Sequence, residues 1–448
     1  MPRQARPSAP ILPSRTLIID NGGYTIKAGF ATETPSLDDC RVIPNCIARS
    51  NDKKIYVGSE LERCKDFGEM AFRRPVEKGY VVNWESEKAI WDHEFMEPAS
   101  ALCCEPQDTT LMLTEAPNSP QPLSLNCDQM VFEEYNFGAY YRVLGPTLSA
   151  QNTTNTLFSD PPSASPTSSQ TLLVVDTGYS HTTITPFYQG RPLHPAIRRL
   201  TIGGKFMTNY LKDIISTRAL YLMEETHLVN QIKEDVCFAS LDFPRDLDRA
   251  WKMGKKYPHL AAADSATGLN NINVDYVLPD YVHRLRGELR PHDPSQTARL
   301  KRLNVGGLAE PKEDIVALSN ERFTVPELLF SPSDIGLKEV GLPAAIMESL
   351  SHLDVALWPG MLANVVVVGG NSNIPNLTER LAAELRMLAP AEFPVRVARP
   401  EDPVKYAWLG GARLAGDREK MKEVVVTKQE YDEFGGTRVA RKFATGKW

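Results

Sequence analysis

Short apolar runs closed by an aspartate recur along the chain, separated by stretches whose apolar positions fall three or four apart. "TLIID" and "TLLVVD" read as buried strands ending on Asp20 and Asp176. In "GGKFMTNYLKDII", Phe206, Tyr210 and Ile214 fall at i, i+4 and i+8, one face of a helix that begins just after Gly203 and Gly204. "NVVVVGGNSNIPNLTERLAAELRMLAP" predicts a strand to Val368, a turn on Gly369 and Gly370, and a helix carrying Leu377, Leu381 and Leu385. Asn376 with Glu379 reads as a capping box at its start, and Pro390 marks its end. Trp84, Ile90, Trp91 and Phe95 form the apolar face of another helix, expected to pack into the protein's own core. This alternation of strands and helices predicts an α/β fold.

Two stretches break the pattern. Ser149 to Gln170 is rich in Ser, Thr, Asn and Pro and predicts a flexible loop over 151–170 that joins two folded halves. A second stretch, about 245–320, lacks a sustained apolar period and predicts an insertion. The resulting plan has a disordered tail over 1–15, a first lobe from 16–150 plus 404–448, and a second lobe over 171–403. The 448 residues suffice for two such lobes, and 42% hydrophobic with 24% charged residues is the balance of a soluble globular protein. A net charge of −6 gives no overall attraction to nucleic acid, so such contact falls to a local patch. The tract from Arg284 to Arg302 is the candidate, although Glu288 and Asp293 within it favour a plain solvated surface. Seven cysteines with no CxxC pair read as thiols of a reducing compartment. No apolar run approaches the roughly 18 residues of a membrane span, and the proline-rich start does not resemble a signal peptide. The expected location is the nucleus or the cytoplasm, with no membrane partner.

The chemistry lies in a short internal repeat. "IIDNGGYTIKAGF" and "VVDTGYSHTTITPF" each run strand, Asp, small polar residue, Gly, turn and second strand. Facing each other across a cleft, two such hairpins would offer turn amides to phosphate oxygens, while Asp20 and Asp176 held the water shell of a magnesium ion. Lys27 would add a point charge. Gly369 and Gly370 make a third strand-to-glycine junction, where backbone can approach a nucleotide at a positive helix end. The eight histidines show no metal spacing, and His181 reads as a loop residue.

These hairpins, together with "IGGKF", "QIKEDVCFASLDF", "ERFTVPELLFSPSDIGL", "VVVVGGNSNIPNL" and "TKQEYDEFG", resemble the actin superfamily in order and spacing from about Leu17 to Phe443. The resemblance implies an actin-like, ribonuclease H-like ATPase fold, two lobes each with a large and a small subdomain around a nucleotide cleft. It implies ATP or ADP with Mg2+ as ligand. Asp20, Gly22, Gly23 and Lys27 match the first phosphate loop and Asp176, Thr177 and Gly178 the second, with Asn21, Tyr24 and Tyr179 beside them also expected to touch the nucleotide. Gly203 and Gly204 open the following helix. Lys233 and Glu234 fall where actins contact the adenosine, Gly370 matches the glycine beneath it, and Gly369, Asn371 and Ile374 are expected to line the same end. Asp20 and Asp176 are the metal residues, acting through water.

The chain also departs from the actin pattern. The glutamine that positions attacking water falls on Gly145, the second loop's further aspartate on Tyr179, its next glycine on Ser180, and the nearby histidine on Thr183. The adenine-side tyrosine falls on Ile374. The expectation is a chain that holds nucleotide without hydrolysing it, so no catalytic residue is assigned. Tyr179 packing against Tyr24 is the plain alternative role for that ring. "CIARSNDKKIYVGSE" leaves little room for the loop with which actin grips its neighbour, which argues against a homopolymer. Within the superfamily the resemblance is to nuclear actin-related subunits of Swr-type chromatin remodellers. That implies a motor subunit and a small zinc-finger subunit as partners, and contact with nucleosomes or DNA through the basic tract. The rival expectations are an active ATPase or kinase of the same fold and a filament-forming cytoskeletal actin.

Overall fold

The computed structural model describes residues 12–154, 157–158, 170–256, 272–292 and 313–445. Two six-stranded sheets carry the architecture. The first has the spatial order Val426–Thr427, Ala139–Leu144, Thr109–Glu115, Arg15–Asn21, Thr25–Phe30, Arg41–Pro44. The second runs Arg191–Pro192, Thr182–Tyr188, Thr171–Thr177, Val365–Val368, Val397–Ala398, with Arg198–Leu200 also paired to Thr182–Tyr188.

Both sheets share one plan. An Asp-bearing strand pairs antiparallel with its hairpin partner on one side and parallel with a strand from later in the chain on the other. A parallel partner requires a long crossover and burial on both faces, which the apolar runs supply: Leu17, Ile18 and Ile19 are wholly buried, as are Leu173, Val174 and Val175. Asp20 sits opposite Lys27, and Asp176 lies between Thr183 and Val368, so both acids stand at the carboxyl ends of central strands. Open α/β sheets bind ligands at that edge.

The helix Gly204–Arg218 begins where the glycine pair predicts, and Leu377–Leu388 carries Leu377, Leu381 and Leu385 into the core. Its expected capping box is not formed. Asn376 adopts φ +64°, and its Nδ2 donates to Ala239 O at 3.4 Å, so a tertiary acceptor claims the side chain that would have capped the helix. Ile90, Trp91 and Phe95 are fully buried, as expected of a core face.

Two three-stranded sheets and one two-stranded pair accompany the main ones among the described residues. Ile47–Arg49 pairs with Ile55–Val57 and Ala71–Arg73, and the turn over 50–54 keeps the first connection short. In the other lobe Val274–Val277 lies between Glu288–Pro291 and Ile315–Leu318. Part of the stretch expected as an insertion is therefore integral, with Tyr276 and Val316 wholly buried; strands of four residues are too short to show a period. Phe158, within the expected loop over 151–170, packs against Val174 and Phe187. The rest of that loop, most of the N-terminal tail and the basic tract beyond residue 292 lie outside the described residues.

Candidate nucleotide cleft

The two Asp-bearing hairpins face one another across a cavity of about 520 Å³, within the size range of small-ligand sites. Each turn is braced from behind. Thr114 Oγ1 donates to Asp20 Oδ1 at 2.8 Å and accepts from Asn21 N at 3.0 Å, and Asp20 Oδ2 lies 3.4 Å from Lys27 Nζ. Asn45 Nδ2 donates to Gly22 O at 2.9 Å. On the opposite side Asn371 Nδ2 donates to Gly178 O at 2.7 Å and to Thr177 Oγ1 at 3.2 Å. The second turn then caps the next helix: Gly178 O and Tyr179 O accept from the amides of Gly204 and Lys205. Gly203 must lack a side chain because a Cβ there would stand 2.6 Å from Tyr179 O.

The amides of Gly23, Tyr24, Tyr179 and Ser180 meet no acceptor among the described residues, and all four residues line the cavity. Backbone donors left unpaired in such a turn are what a phosphate group satisfies. Asp20 and Asp176 line the same space. Burial and then the Asp20 charge push the Asp176 carboxyl up to about 6, with Lys27 opposing. Two acids in mutual repulsion at one edge fit a divalent cation, whose charge would relieve both. Gly370 has open space where its Cβ would be, and Ile374, Asn373 and Val404 complete that end of the cavity.

Of the residues expected at this site, all but Thr177 and Gly203 line the cavity. Thr177 is buried behind it, where Thr182 Oγ1 donates to its hydroxyl at 3.3 Å. Lys233 is engaged within its own lobe, donating to Gly204 O at 3.2 Å, Thr208 Oγ1 at 3.0 Å and Asn230 Oδ1 at 2.9 Å. Burial lowers its pKa. Glu234 accepts from Asn230 Nδ2 at 2.7 Å.

Gly145 lies in the wall, its Cβ position 3.9 Å from Asp20 Oδ1, and Pro146 follows it there. No side chain at 145 can hold a water molecule. Thr183, another of the altered positions, is only 1% exposed. Tyr179 packs on Tyr24 with ring centroids 4.8 Å apart, and the Arg74 guanidinium stands 4.3 Å and 5.5 Å from the two ring centres. Tyr24 OH also accepts from Asn230 Nδ2 at 3.2 Å.

Further contacts cross the cleft. His227 stacks on Phe67 at 4.5 Å and on Phe72 at 5.4 Å, and Arg199 donates to Tyr80 OH at 2.7 Å. Burial, with Arg199 assisting, pushes the His181 imidazole down to about 3, so it is a neutral packing group beside Gly79. Thr114, Asn45, Arg74 and Asn230 escaped sequence reasoning because each acts on a turn far away along the chain.

In the basic tract, Arg284 and Arg290 both pair with Glu313 at 2.9 Å, and Arg286 pairs with Asp235 at 2.6 Å. The described arginines of that tract are thus already matched by carboxylates.

Comparison with known proteins agrees with this geometry. The actin family model matches residues 11–444. Actin-related protein 6 of Neurospora crassa is 50% identical over 447 residues, covering 99% of this chain and 97% of that protein. Actin-related protein 6 of Drosophila melanogaster is 35% identical, covering 94% of this chain and 97% of its own length. That of Arabidopsis thaliana is also 35% identical, with 96% and 99% covered. On a match spanning nearly every residue, together with the paired hairpins around one cleft, the chain belongs to the actin family and is most like its actin-related protein 6 members.

Proposed function

We propose that the chain is a non-catalytic actin-related subunit that holds ATP or ADP with Mg2+ as a structural ligand. It acts in the nucleus as an assembly and nucleosome-contact module of a Swr-type remodelling complex that exchanges histone variants. The observation that carries the non-catalytic part is Gly145 in the cavity wall beside Asp20, where a water-orienting side chain would have to stand. Four free turn amides and two facing acids support the ligand. Asp20 and Asp176 would hold the metal through its water shell, and the metal would supply charge neutralisation for the phosphates. The turns bind and orient the phosphates, Lys27 adds positive charge, and the closed aromatic contacts exclude solvent.

Bound nucleotide then stabilises the closed state by mass action. The short turn over 50–54 supports assembly with other subunits, including the motor and the small zinc-finger subunit, over self-polymerisation. With Arg284, Arg286 and Arg290 already paired, nucleosome contact by the basic tract falls to its segment beyond residue 292. The test is a native pull-down from nuclear extract, with nucleotide analysis of the eluate and steady-state phosphate release by the purified chain. Remodeller subunits, stoichiometric nucleotide and negligible turnover are expected. Sustained turnover at the rate of a working ATPase, or an exclusively cytoskeletal set of partners, would refute the reading.

A further inference from the structure

A second cavity, of about 470 Å³, shares no lining residue with the nucleotide cleft. It is bounded by the helix Gln121–Gln129, the segment that follows it, and the helix Lys428–Thr445, which breaks at Gly435 with φ +69°. Asp128, Glu133 and Asp432 line it together with Leu125, Gln129 and Tyr431, and no basic side chain does so among the described residues. Two of the three acids have partners of their own. Glu133 Oε1 accepts from Tyr431 OH at 2.5 Å, and Asp432 pairs with Lys428 at 3.1 Å. Asp128 differs: it is only 1% exposed, and neither of its oxygens meets a hydrogen-bond donor among the described residues.

Arg142 stands near enough to serve Asp128 but serves another acid instead. Its Nε lies 3.3 Å from Asp128 Oδ1 without forming a hydrogen bond, while its Nη1 donates to Glu115 Oε1 at 2.9 Å. Ser124 Oγ donates to the same Glu115 oxygen. One cation thus stands beside two buried acids, and the acid of the cavity is the one left short. A buried carboxylate without donors is costly, and a cationic N–H group arriving through the cavity removes that cost. A metal ion is the poorer fit, because no three acids, histidines or cysteines among the described residues are grouped closely enough to hold one. A guanidinium carries five donors in a fixed fork and sheds water more readily than an ammonium. We infer that this cavity is a docking site for an arginine side chain presented by a protein partner, with Asp128 as the carboxylate that receives the guanidinium.

The mouth suits a polypeptide. Gly435 has open space where a Cβ would stand, which leaves room for a backbone, and the exposed Phe434 beside it in the chain offers an aromatic surface of the kind interfaces favour. Glu133 and Asp432 at the rim attract a cation and repel a free carboxylate. Burial pushes the Asp128 carboxyl up to about 7, with Arg142 opposing and Glu115 adding to the rise. Burial also raises Cys127 on its own helix, Tyr140 on the sheet and Tyr431 on the C-terminal helix, so these three stay neutral. Because the ionised Asp128 is the form that receives a cation, affinity falls as the pH drops through that value.

The site stands independently of nucleotide and of the complex proposed above. Its test titrates the full-length protein, by saturation-transfer NMR, with a blocked glycine-arginine-glycine tripeptide, with the same peptide carrying citrulline, and with free arginine. Citrulline keeps the shape of arginine without its charge. The arginine peptide should bind with a roughly millimolar Kd, the citrulline peptide should give no signal, and free arginine should bind more weakly because its own carboxylate meets the rim acids. Asp128→Asn should weaken the arginine peptide about tenfold. It should also abolish the fall in affinity that the native protein shows from about pH 8 to about pH 6. Glu133 is exposed, so Glu133→Lys should fold; its ammonium in the mouth should abolish binding, and this variant decides the matter if Asp128→Asn does not fold. Equal binding of the citrulline peptide, unchanged affinity in either variant, or no binding by any of the three ligands would overturn the site. Free arginine binding as tightly as the blocked peptide would overturn the assignment to a protein partner.

Discussion

Tyr179 stands where actins carry an acid, and its replacement by alanine should open the cleft. The ring lies 4.8 Å from that of Tyr24, a tilted pair that contributes about 0.5–1.5 kcal/mol beyond its buried area. The Arg74 guanidinium, 5.5 Å from the Tyr179 ring centre, adds roughly 0.5–1 kcal/mol more. Tyr179→Ala therefore removes about 1–2.5 kcal/mol of closure. At about 1.4 kcal/mol per tenfold, the open population rises roughly 5- to 60-fold. Stopped-flow release of a fluorescent ATP analogue should accelerate by that factor. Hydrogen exchange at Asn45, whose amide bonds Tyr24 O at 2.9 Å, should accelerate in the nucleotide-free protein as well, which separates closure from ligand binding. Tyr24→Ala loses the Asn230 bond besides, so it should be the more severe change. Because the rings touch, the double variant should fall short of the sum of the singles by about 1 kcal/mol. Unchanged exchange and release in Tyr179→Ala, or strict additivity in the cycle, would show that the rings share a wall without holding it.

Gly369→Ala should destabilise the chain by about 2–3 kcal/mol in urea unfolding, since Gly369 has φ +87° and a Cβ would stand 2.5 Å from Thr177 O and 2.7 Å from Asp176 Oδ1. Burial pushes the His227 imidazole down to about 4, so its contribution is fully present above the unfolded value near 6.5 and is lost as pH falls toward 4. His227→Phe should remove that acid sensitivity from the melting temperature, and equal acid loss in both proteins would exclude the histidine as its source. A Cβ on Gly145 would meet nothing nearer than Asp20 Oδ1 at 3.9 Å, so the backbone accepts Gly145→Gln, yet phosphate release should stay at background because Thr183 and Tyr179 are unchanged. A working turnover in that variant would mean that water positioning was the one missing part.

What the sequence disclosed was local. An apolar run with an aspartate at its end is fixed by nearest neighbours, so Asp20, Asp176 and the glycine junctions at 203–204 and 369–370 could be read directly. Side chains that reach across the fold left no such trace. Thr114 bonds Asp20 from 94 positions away, and Asn371 bonds Gly178 from 193. Glu87, set among Glu85, Ser86 and Lys88, has the look of a polar helix surface, yet it is wholly buried. Asn376 misled for the converse reason, since a strong local cap signal yielded to the Ala239 carbonyl. The sheet around Val274–Val277 stayed hidden because its pairing partners are spread from 288 to 318.

The positions of the phosphate turns that depart from the actin pattern share a second property, which is packing across the cleft. Tyr179 packs on Tyr24, Ser180 lies so close to Gly23 that a side chain there would collide with its hydroxyl, and Thr183 is buried opposite Asp176 in the strand pair. His227 between Phe67 and Phe72, and Arg199 on Tyr80, close the same cleft at other points. Each contact is worth on the order of 1 kcal/mol, but all must break together for the lobes to part, so their sum acts on one motion. A cycle of hydrolysis and exchange needs that motion, whereas a subunit that others recognise by the angle between its lobes is served by suppressing it. On the non-catalytic reading proposed above, partners docking on a pre-closed body would forgo less ordering entropy than partners that had to close it.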